Sequence, residues 1–195
     1  MIKTRKKYWM KRCIDLLLAI FAVILLSVPL LLIGIAVRMT SSGPALYWSA
    51  RIGRNNVIFK MPKFRSMQVG SPAVATHLLT DARVLITPIG RFLRKSSLDE
   101  LPQLWSILSG DMSFVGPRPA LFNQHDLIEK RTEQGVHKLL PGITGWAQIN
   151  GRDELSICDK VKFDLDYVER QSLFFDLKIM WLTIVKVLKR DGVLH

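Results

Sequence analysis

The sequence predicts a mainly helical α+β protein, with an N-terminal membrane helix in residues 1–40 and a small domain over 41–195. Three observations carry this expectation. Leu16 to Val37 is a run of 22 residues without a charge, long enough to reach across a bilayer. Residues 45–60 set two short β-branched and aromatic stretches around a Gly- and Asn-containing turn. The remainder carries helix start and stop signals around amphipathic stretches. The charge balance points to a membrane as well. Twenty-eight Lys+Arg against 16 Asp+Glu, with a pI near 10.1, favour an anionic partner. A hydrophobic content of 49% is too high for a soluble nucleic-acid binder, and the aromatic residues are not interleaved with the cations. Basic and apolar together suit the cytoplasmic face of a membrane. Two cysteines, Cys13 and Cys158, make no disulfide framework, and no Cys/His spacing suits zinc.

The apolar run has bases on both sides. Lys3, Arg5, Lys6, Lys7, Lys11 and Arg12 precede it; Arg38, Arg51, Arg54, Lys60, Lys63 and Arg65 follow. It is too long for a signal-peptide core and lacks a small-residue cleavage site. The positive-inside rule places both flanks in the cytoplasm. Ser27-Val28-Pro29 sits mid-run, where Pro29 removes an N–H and crowds the Leu25 carbonyl. A helix that enters, breaks at Ser27–Pro29 and leaves on the same side satisfies both facts. Each leg of about 11 residues would reach roughly 16 Å, half the hydrocarbon thickness. Spanning helices also carry proline kinks, so the pattern leaves re-entrant and spanning forms both open. Asp15, at the entry edge, reads as a local ion-pair partner or cap.

Thr40-Ser41-Ser42-Gly43-Pro44 marks the boundary to the globular part. Ala45–Trp48 and Val57–Lys60 read as the strands of a hairpin turning at Arg51–Asn56. Lys60-Met61-Pro62-Lys63-Phe64-Arg65 packs three cations into six positions, as phosphate contacts or as a solvated loop facing anionic lipid. Residues 68–82 read as a polar loop. Thr87–Lys95 restarts a helix, with cations along one side and Ile89, Phe92 and Leu93 on another, suited to a membrane surface or to a core.

The chemistry concentrates at Ser97-Leu98-Asp99-Glu100-Leu101-Pro102-Gln103. The plain reading is a helix start, because Ser97-x-x-Glu100 matches a capping box and acids favour a helix N-terminus. The chemical reading makes one carboxylate a nucleophile toward phosphorus, with its neighbour holding a divalent metal. Gly110 would end the helix. In Gly116-Pro117-Arg118-Pro119 the two prolines restrict the backbone around one guanidinium, which suits bidentate phosphate recognition or a buried structural role. Residues 120–139 read as a polar helix without chemistry. Pro141–Arg152 joins glycines, Trp146, amides including Asn150, and Arg152; it reads as a nucleotide cradle or as a hairpin with turn glycines. Asp164-Leu165-Asp166 is a D-x-D, but inside a helical run, and Asp166 and Asp176 are further candidate metal acids. Leu173–Leu188 closes the chain as an amphipathic helix.

Taken together, Lys11-Arg12-x-x-Asp15, Lys63-Phe64-Arg65-Ser66-Met67, Ser97–Leu104, Gly110-Asp111-Met112-Ser113, Gly116–Pro119, Pro141–Gly145 and Asn150-Gly151-Arg152 resemble the small monotopic phosphoglycosyl transferases, or bacterial sugar transferases. The resemblance covers nearly the whole chain. It implies transfer of a sugar 1-phosphate from a UDP-sugar to a polyprenol phosphate such as undecaprenyl phosphate, with release of UMP. By position it makes Asp99 the nucleophile that carries a covalent phospho-sugar, and assigns Glu100, with Asp99, to a Mg2+ site. Arg118 becomes a phosphate ligand, with Lys63, Arg65, Asn150 and Arg152 as further contacts. The hydrophobic element becomes a re-entrant helix broken at Ser27 and Pro29, at the cytoplasmic face of a bacterial inner membrane, in the pathways that build surface glycans. The resemblance would place the chain among the family's minimal forms, those without a preceding multi-span region. Two departures stand out. The family has adjacent Ser-Pro where this chain has Ser27-Val28-Pro29, and a base where it has Leu140, the nearest cation being Lys138. The likeness leans toward members that use N-acetylated or 6-deoxy amino sugars.

Two other functions fit parts of the sequence. A conventional glycosyltransferase would use Asp164 and Asp166 and release UDP. A basic membrane-anchored binding protein would bind in a strongly salt-dependent way and release no nucleotide.

Overall fold

In the computed structural model, residues 2–72, 82–151 and 154–189 are described. Helix α1 (Ile2–Thr40) is one helix of 39 residues with Pro29 inside it. Strands β1 (Leu46–Ile52) and β2 (Ile58–Phe64) form an antiparallel hairpin, pairing Leu46 with Phe64 and Ile52 with Ile58. At its turn Asn55 and Asn56 take left-handed backbone angles (φ 55° and 61°), which asparagine tolerates better than most residues. The cationic stretch from Lys60 is therefore strand, not loop. Short α2 (Ala82–Leu85) precedes α3 (Pro88–Lys95), whose first turn is capped by the Thr87 hydroxyl accepting from the Gly90 N–H at 3.0 Å. The expected loop over 68–82 lies largely outside the described residues.

A 3₁₀ segment (Leu98–Gln103) leads into α4 (Leu104–Ser109), which ends at Gly110 with φ 98°. Strand β3 (Ser113–Val115) is followed by α5 (His125–Glu133) and by β4 (Gly142–Thr144), and β3 and β4 pair in parallel. Helices α6 (Trp146–Ile149), α7 (Ile157–Arg170) and α8 (Leu173–Lys189) complete the chain. The hairpin reading of Pro141–Arg152 gives way to strand β4 followed by α6. The glycines there serve close backbone approach: a Cβ on Gly116 would lie 2.4 Å from the Leu140 carbonyl oxygen and 2.9 Å from the Gly142 nitrogen.

One face of α1 packs along the domain. Arg12, Asp15, Ala19, Val23, Leu26, Leu30, Ile33 and Val37 recur at three- and four-residue steps; the first two make polar contacts and the rest meet two apolar clusters. Ala19 joins Phe59, Met61, Leu104 and Ile107; Val37 joins Phe64 and Leu93. The rest of the helix exposes Leu17, Phe21, Ile24, Leu25, Val28, Leu31, Leu32 and Ile35. From Arg12 to Val37 a straight helix measures about 38 Å, more than the ~30 Å of hydrocarbon in a bilayer. The helix thus lies along the domain over a bilayer's thickness instead of leaving it. It stays helical through Ser27–Pro29. The Ser27 hydroxyl donates to the Ile24 carbonyl at 2.8 Å, not to the Leu25 carbonyl that loses its usual donor to Pro29.

Buried polar contacts pin the start of α1. Arg12 donates to the Ile107 and Leu108 carbonyls at the end of α4, at 2.6 and 3.1 Å. Asp15, 4% exposed, accepts from the Ser113 hydroxyl and the Phe114 N–H, so its partners are long-range, not local. Lys11 pairs with Asp176 at 2.7 Å, and the Tyr167 hydroxyl donates to the same carboxylate at 2.7 Å. Burial, with the Asp176 charge beside it, pushes the Tyr167 hydroxyl's pKa far up.

Candidate active site

The acid pair is not a capping box. Ser97 has left-handed backbone angles (φ 58°, ψ 14°) and makes no side-chain cap. Glu100 reaches across the fold instead. Its Oε1 accepts from Lys63 Nζ at 2.7 Å and from Arg118 Nη2 at 3.2 Å. Neighbouring residues in a 3₁₀ turn point about 120° apart, so Asp99 faces inward while Glu100 meets the two cations. Pro102 falls inside this segment, where it has no N–H to give.

Each cation arrives from its own element. Strand β2 carries Lys63, and the Gly116–Pro119 loop after β3 carries Arg118. The Lys63–Glu100 pair is only 15% and 12% exposed, so it is screened far less than a surface pair. Burial raises the Asp99 carboxyl to about 6, against the attraction of Lys63; the adjacent Glu100 charge pushes it further up, and Arg94 and Arg118 pull it down. Burial lowers the Lys63 ammonium, opposed chiefly by Glu100. Asp99 is therefore mainly ionised at neutral pH yet held in a site that disfavours its charge. A carboxylate so placed is a candidate nucleophile or base with cations nearby to receive a phosphate.

Beside the acid pair opens an apolar groove of about 810 Å³. Leu30, Leu31 and Ile35 of α1 form one wall, and Leu101, Pro102 and Trp105, directly after Glu100, form the other.

Among the residues singled out from sequence, Asp99, Glu100, Lys63 and Arg118 come together. Arg65 donates to the Ser42 carbonyl, and Asn150 bonds the Trp146 carbonyl of its own helix. Arg152 lies outside the described residues. Asp176 sits in the buried network with Lys11 and Tyr167, and Asp166 makes an exposed i,i+4 pair with Arg170 at 3.0 Å. Asp164 points the other way, 1% exposed and bonded to Arg131. The two carboxylates of the D-x-D thus diverge on helix α7 and cannot close on one metal ion.

Among the described residues no group of three or more His, Cys, Asp or Glu side chains forms a closed metal cage. Magnesium asks for less: one or two carboxylates, with water and substrate phosphate completing an octahedron. Asp99 and Glu100, two adjacent hard oxygen donors, fit that open kind of site.

Sequence reading missed Arg131. It lies in the polar helix judged to hold no chemistry, yet its guanidinium bonds both Asp164 and the Arg118 carbonyl. The one local signal was an arginine at the end of a short amphipathic stretch.

A sequence model of the family described as bacterial sugar transferase matches residues 6–190. The chain is 41% identical over 184 residues to a UDP-glucose:undecaprenyl-phosphate glucose-1-phosphate transferase of Escherichia coli, covering 91% of this chain and 40% of that one. It is 42% identical over 184 residues to the uncharacterized sugar transferase EpsL of Bacillus subtilis, covering 94% and 90%. An undecaprenyl-phosphate galactose phosphotransferase of Salmonella typhimurium is 37% identical over 206 residues, covering 96% and 42%. The chain spans about two fifths of the length of the first and third of these relatives and nine tenths of the second.

Proposed function

The chain belongs to the bacterial sugar transferase family, and on that premise we propose that it transfers a sugar 1-phosphate from a UDP-sugar to a polyprenol phosphate, releasing UMP. The carrying observation is the buried Asp99 next to Glu100, whose carboxylate draws Lys63 and Arg118 to the same place. The names of two relatives, with undecaprenyl phosphate as acceptor and glucose or galactose as the sugar, support the same substrate class.

In this reading Arg118 and Lys63 bind the diphosphate of the donor. An Asp99 carboxylate oxygen attacks the phosphorus next to the sugar. The new O–P bond forms as the pyrophosphate P–O bond breaks, and that electron pair leaves with UMP. A phosphate oxygen of the polyprenol phosphate then attacks the same phosphorus. The Asp99–phosphorus bond breaks and the carboxylate is restored. Glu100 and Asp99 would hold a magnesium ion, which when bound neutralises phosphate charge. The apolar groove beside Leu101–Trp105 receives the polyprenyl tail, which sets the acceptor's phosphate toward Asp99.

Helix α1 dips into the cytoplasmic leaflet of a bacterial inner membrane without crossing it. Its packing along the domain from Arg12 to Val37 and the bases on both flanks support that placement.

The test is nucleotide release by nanodisc-embedded protein given undecaprenyl phosphate, magnesium and a panel of UDP-glucose, UDP-galactose and UDP-N-acetyl sugars. UMP from the wild type and none from Asp99→Asn is expected, with a phospho-sugar mass adduct on the wild type when acceptor is withheld. Release of UDP, or UMP formation undiminished in Asp99→Asn, would overturn the reading.

A further inference from the structure

Arg118 sits between two prolines, neither of which has an N–H to give. Its loop therefore takes little support from backbone ladders of its own. The fold holds it by its carbonyls instead. Four consecutive carbonyls accept from four separate sources. The Gly142 N–H reaches Pro117 at 2.9 Å, Arg131 Nη1 reaches Arg118 at 2.7 Å, Arg51 Nη1 reaches Pro119 at 3.2 Å, and the Ile52 N–H reaches Ala120 at 2.9 Å.

Arg131 is itself fixed. Its Nε and Nη2 both donate to Asp164 Oδ2, at 2.9 and 2.7 Å, and the two side chains are 10% and 2% exposed. A guanidinium is planar, so once two of its nitrogens are bound the direction of the third is set. Asp164 on α7 thereby aims Arg131 of α5 at the one carbonyl that belongs to Arg118.

We propose that Arg131, oriented by Asp164, is a positioning residue for the donor phosphate: it holds the Arg118 backbone so that the Arg118 guanidinium meets both Glu100 and substrate. This inference rests on the phosphoglycosyl transfer reading above. A lysine at 131 keeps the charge but reaches only one of the two partners at a time. Asp164 then loses its fork and the Arg118 carbonyl its donor. Misplacement of a binding group by about 1 Å can cost on the order of 100-fold.

The experiment is a double-mutant cycle on the nanodisc-embedded full chain. Arg131→Lys, Arg118→Ala and the pair are compared in kcat and KM for UMP release, using whichever UDP-sugar of the panel the wild type turns over. UDP binding is read separately from its effect on melting temperature. The expected result is a 10- to 100-fold fall in kcat/KM for Arg131→Lys, weaker UDP binding, and under about twofold further loss when Arg118 is already alanine. Equal losses on both backgrounds would overturn the proposal and leave Arg131 a general stabiliser of the fold. Where Arg131→Lys does not melt cooperatively, Asp164→Ser takes its place in the cycle, because it removes the carboxylate oxygen that aims Arg131 and leaves Arg131 and Arg118 themselves unchanged; the same two outcomes decide. Failure of the underlying reading has a different signature, namely no UMP from the wild type or undiminished UMP from Asp99→Asn.

Discussion

Replacing Asp99 by asparagine should make the protein more stable at neutral pH while abolishing its chemistry. Asp99 is 9% exposed, and its carboxyl is raised from 3.8 to about 6, with burial as the largest cause. A carboxyl that titrates higher when folded adds stability where it is protonated, below about pH 4, and that contribution is lost as pH rises through 6. At pH 7 the folded protein therefore carries a charge that the unfolded chain accommodates better, by about 3 kcal/mol. That figure is net of the attraction of Lys63, Arg94 and Arg118, which already oppose the rise. Asparagine keeps the shape and removes the charge. The expected gain is up to about 3 kcal/mol at pH 7, or roughly 6–12 °C in melting temperature for a chain of this size. Near pH 4 the two proteins should melt together. Tryptophan-fluorescence melts of nanodisc-embedded protein from pH 4 to 8 measure this. A variant that melts below the wild type at pH 7, or a difference that does not change with pH, would refute the account of a charge held in an unfavourable place.

The rate of UMP release should fall on the acid side with a midpoint near pH 6, where Asp99 protonates. In Lys63→Met that limb should move to higher pH, because Lys63 is the strongest charge holding Asp99 down; an unmoved limb in the pH–rate profile counts against the pairing. Gly116→Ala places a methyl 2.4 Å from the Leu140 carbonyl oxygen and should cost about 3 kcal/mol in denaturant unfolding, since backbone on both sides has to move. Chelation by EDTA should stop UMP release and added magnesium restore it, and release that persists in EDTA would exclude a metal at Asp99–Glu100. Single cysteines at Met10 and Met39, both exposed, in a chain with Cys13 and Cys158 replaced by serine, should react with a membrane-impermeant maleimide from one side of the vesicle only. Labelling from opposite sides would mean that α1 spans.

Some of this was legible in the chain itself. The uncharged run specified an apolar helix of membrane-spanning length because the transfer cost of charge is a local property of the residues. The hairpin at Leu46–Phe64, the Thr87 start of α3 and the Gly110 stop of α4 followed from turn and cap chemistry within a few positions. So did the restriction of Arg118 by its two prolines, and the adjacency of Asp99 and Glu100.

Local pattern misled where a distant partner outweighed it. Ser97-x-x-Glu100 has the form of a capping box, but two half-buried cations offer Glu100 more than the Ser97 N–H does. Asp164-x-Asp166 has the form of a metal motif, but on a helix residues two apart diverge, and Arg131 takes the first of them. Asp15 meets Ser113 across 98 positions, Lys63 meets Glu100 across 37, and Arg131 meets Asp164 across 33. No periodicity or spacing announces such pairs. They form because the apolar faces of α1, β2, α4 and α7 pack first in energetic weight, and the polar groups carried inward must then be paired or left at a cost of several kcal/mol. By itself the sequence determined the elements, the long apolar helix and the residue types available for phosphate chemistry. Tertiary packing decided which cation faces which carboxylate, how far burial lifts Asp99, and that Arg118 is aimed from behind by Arg131.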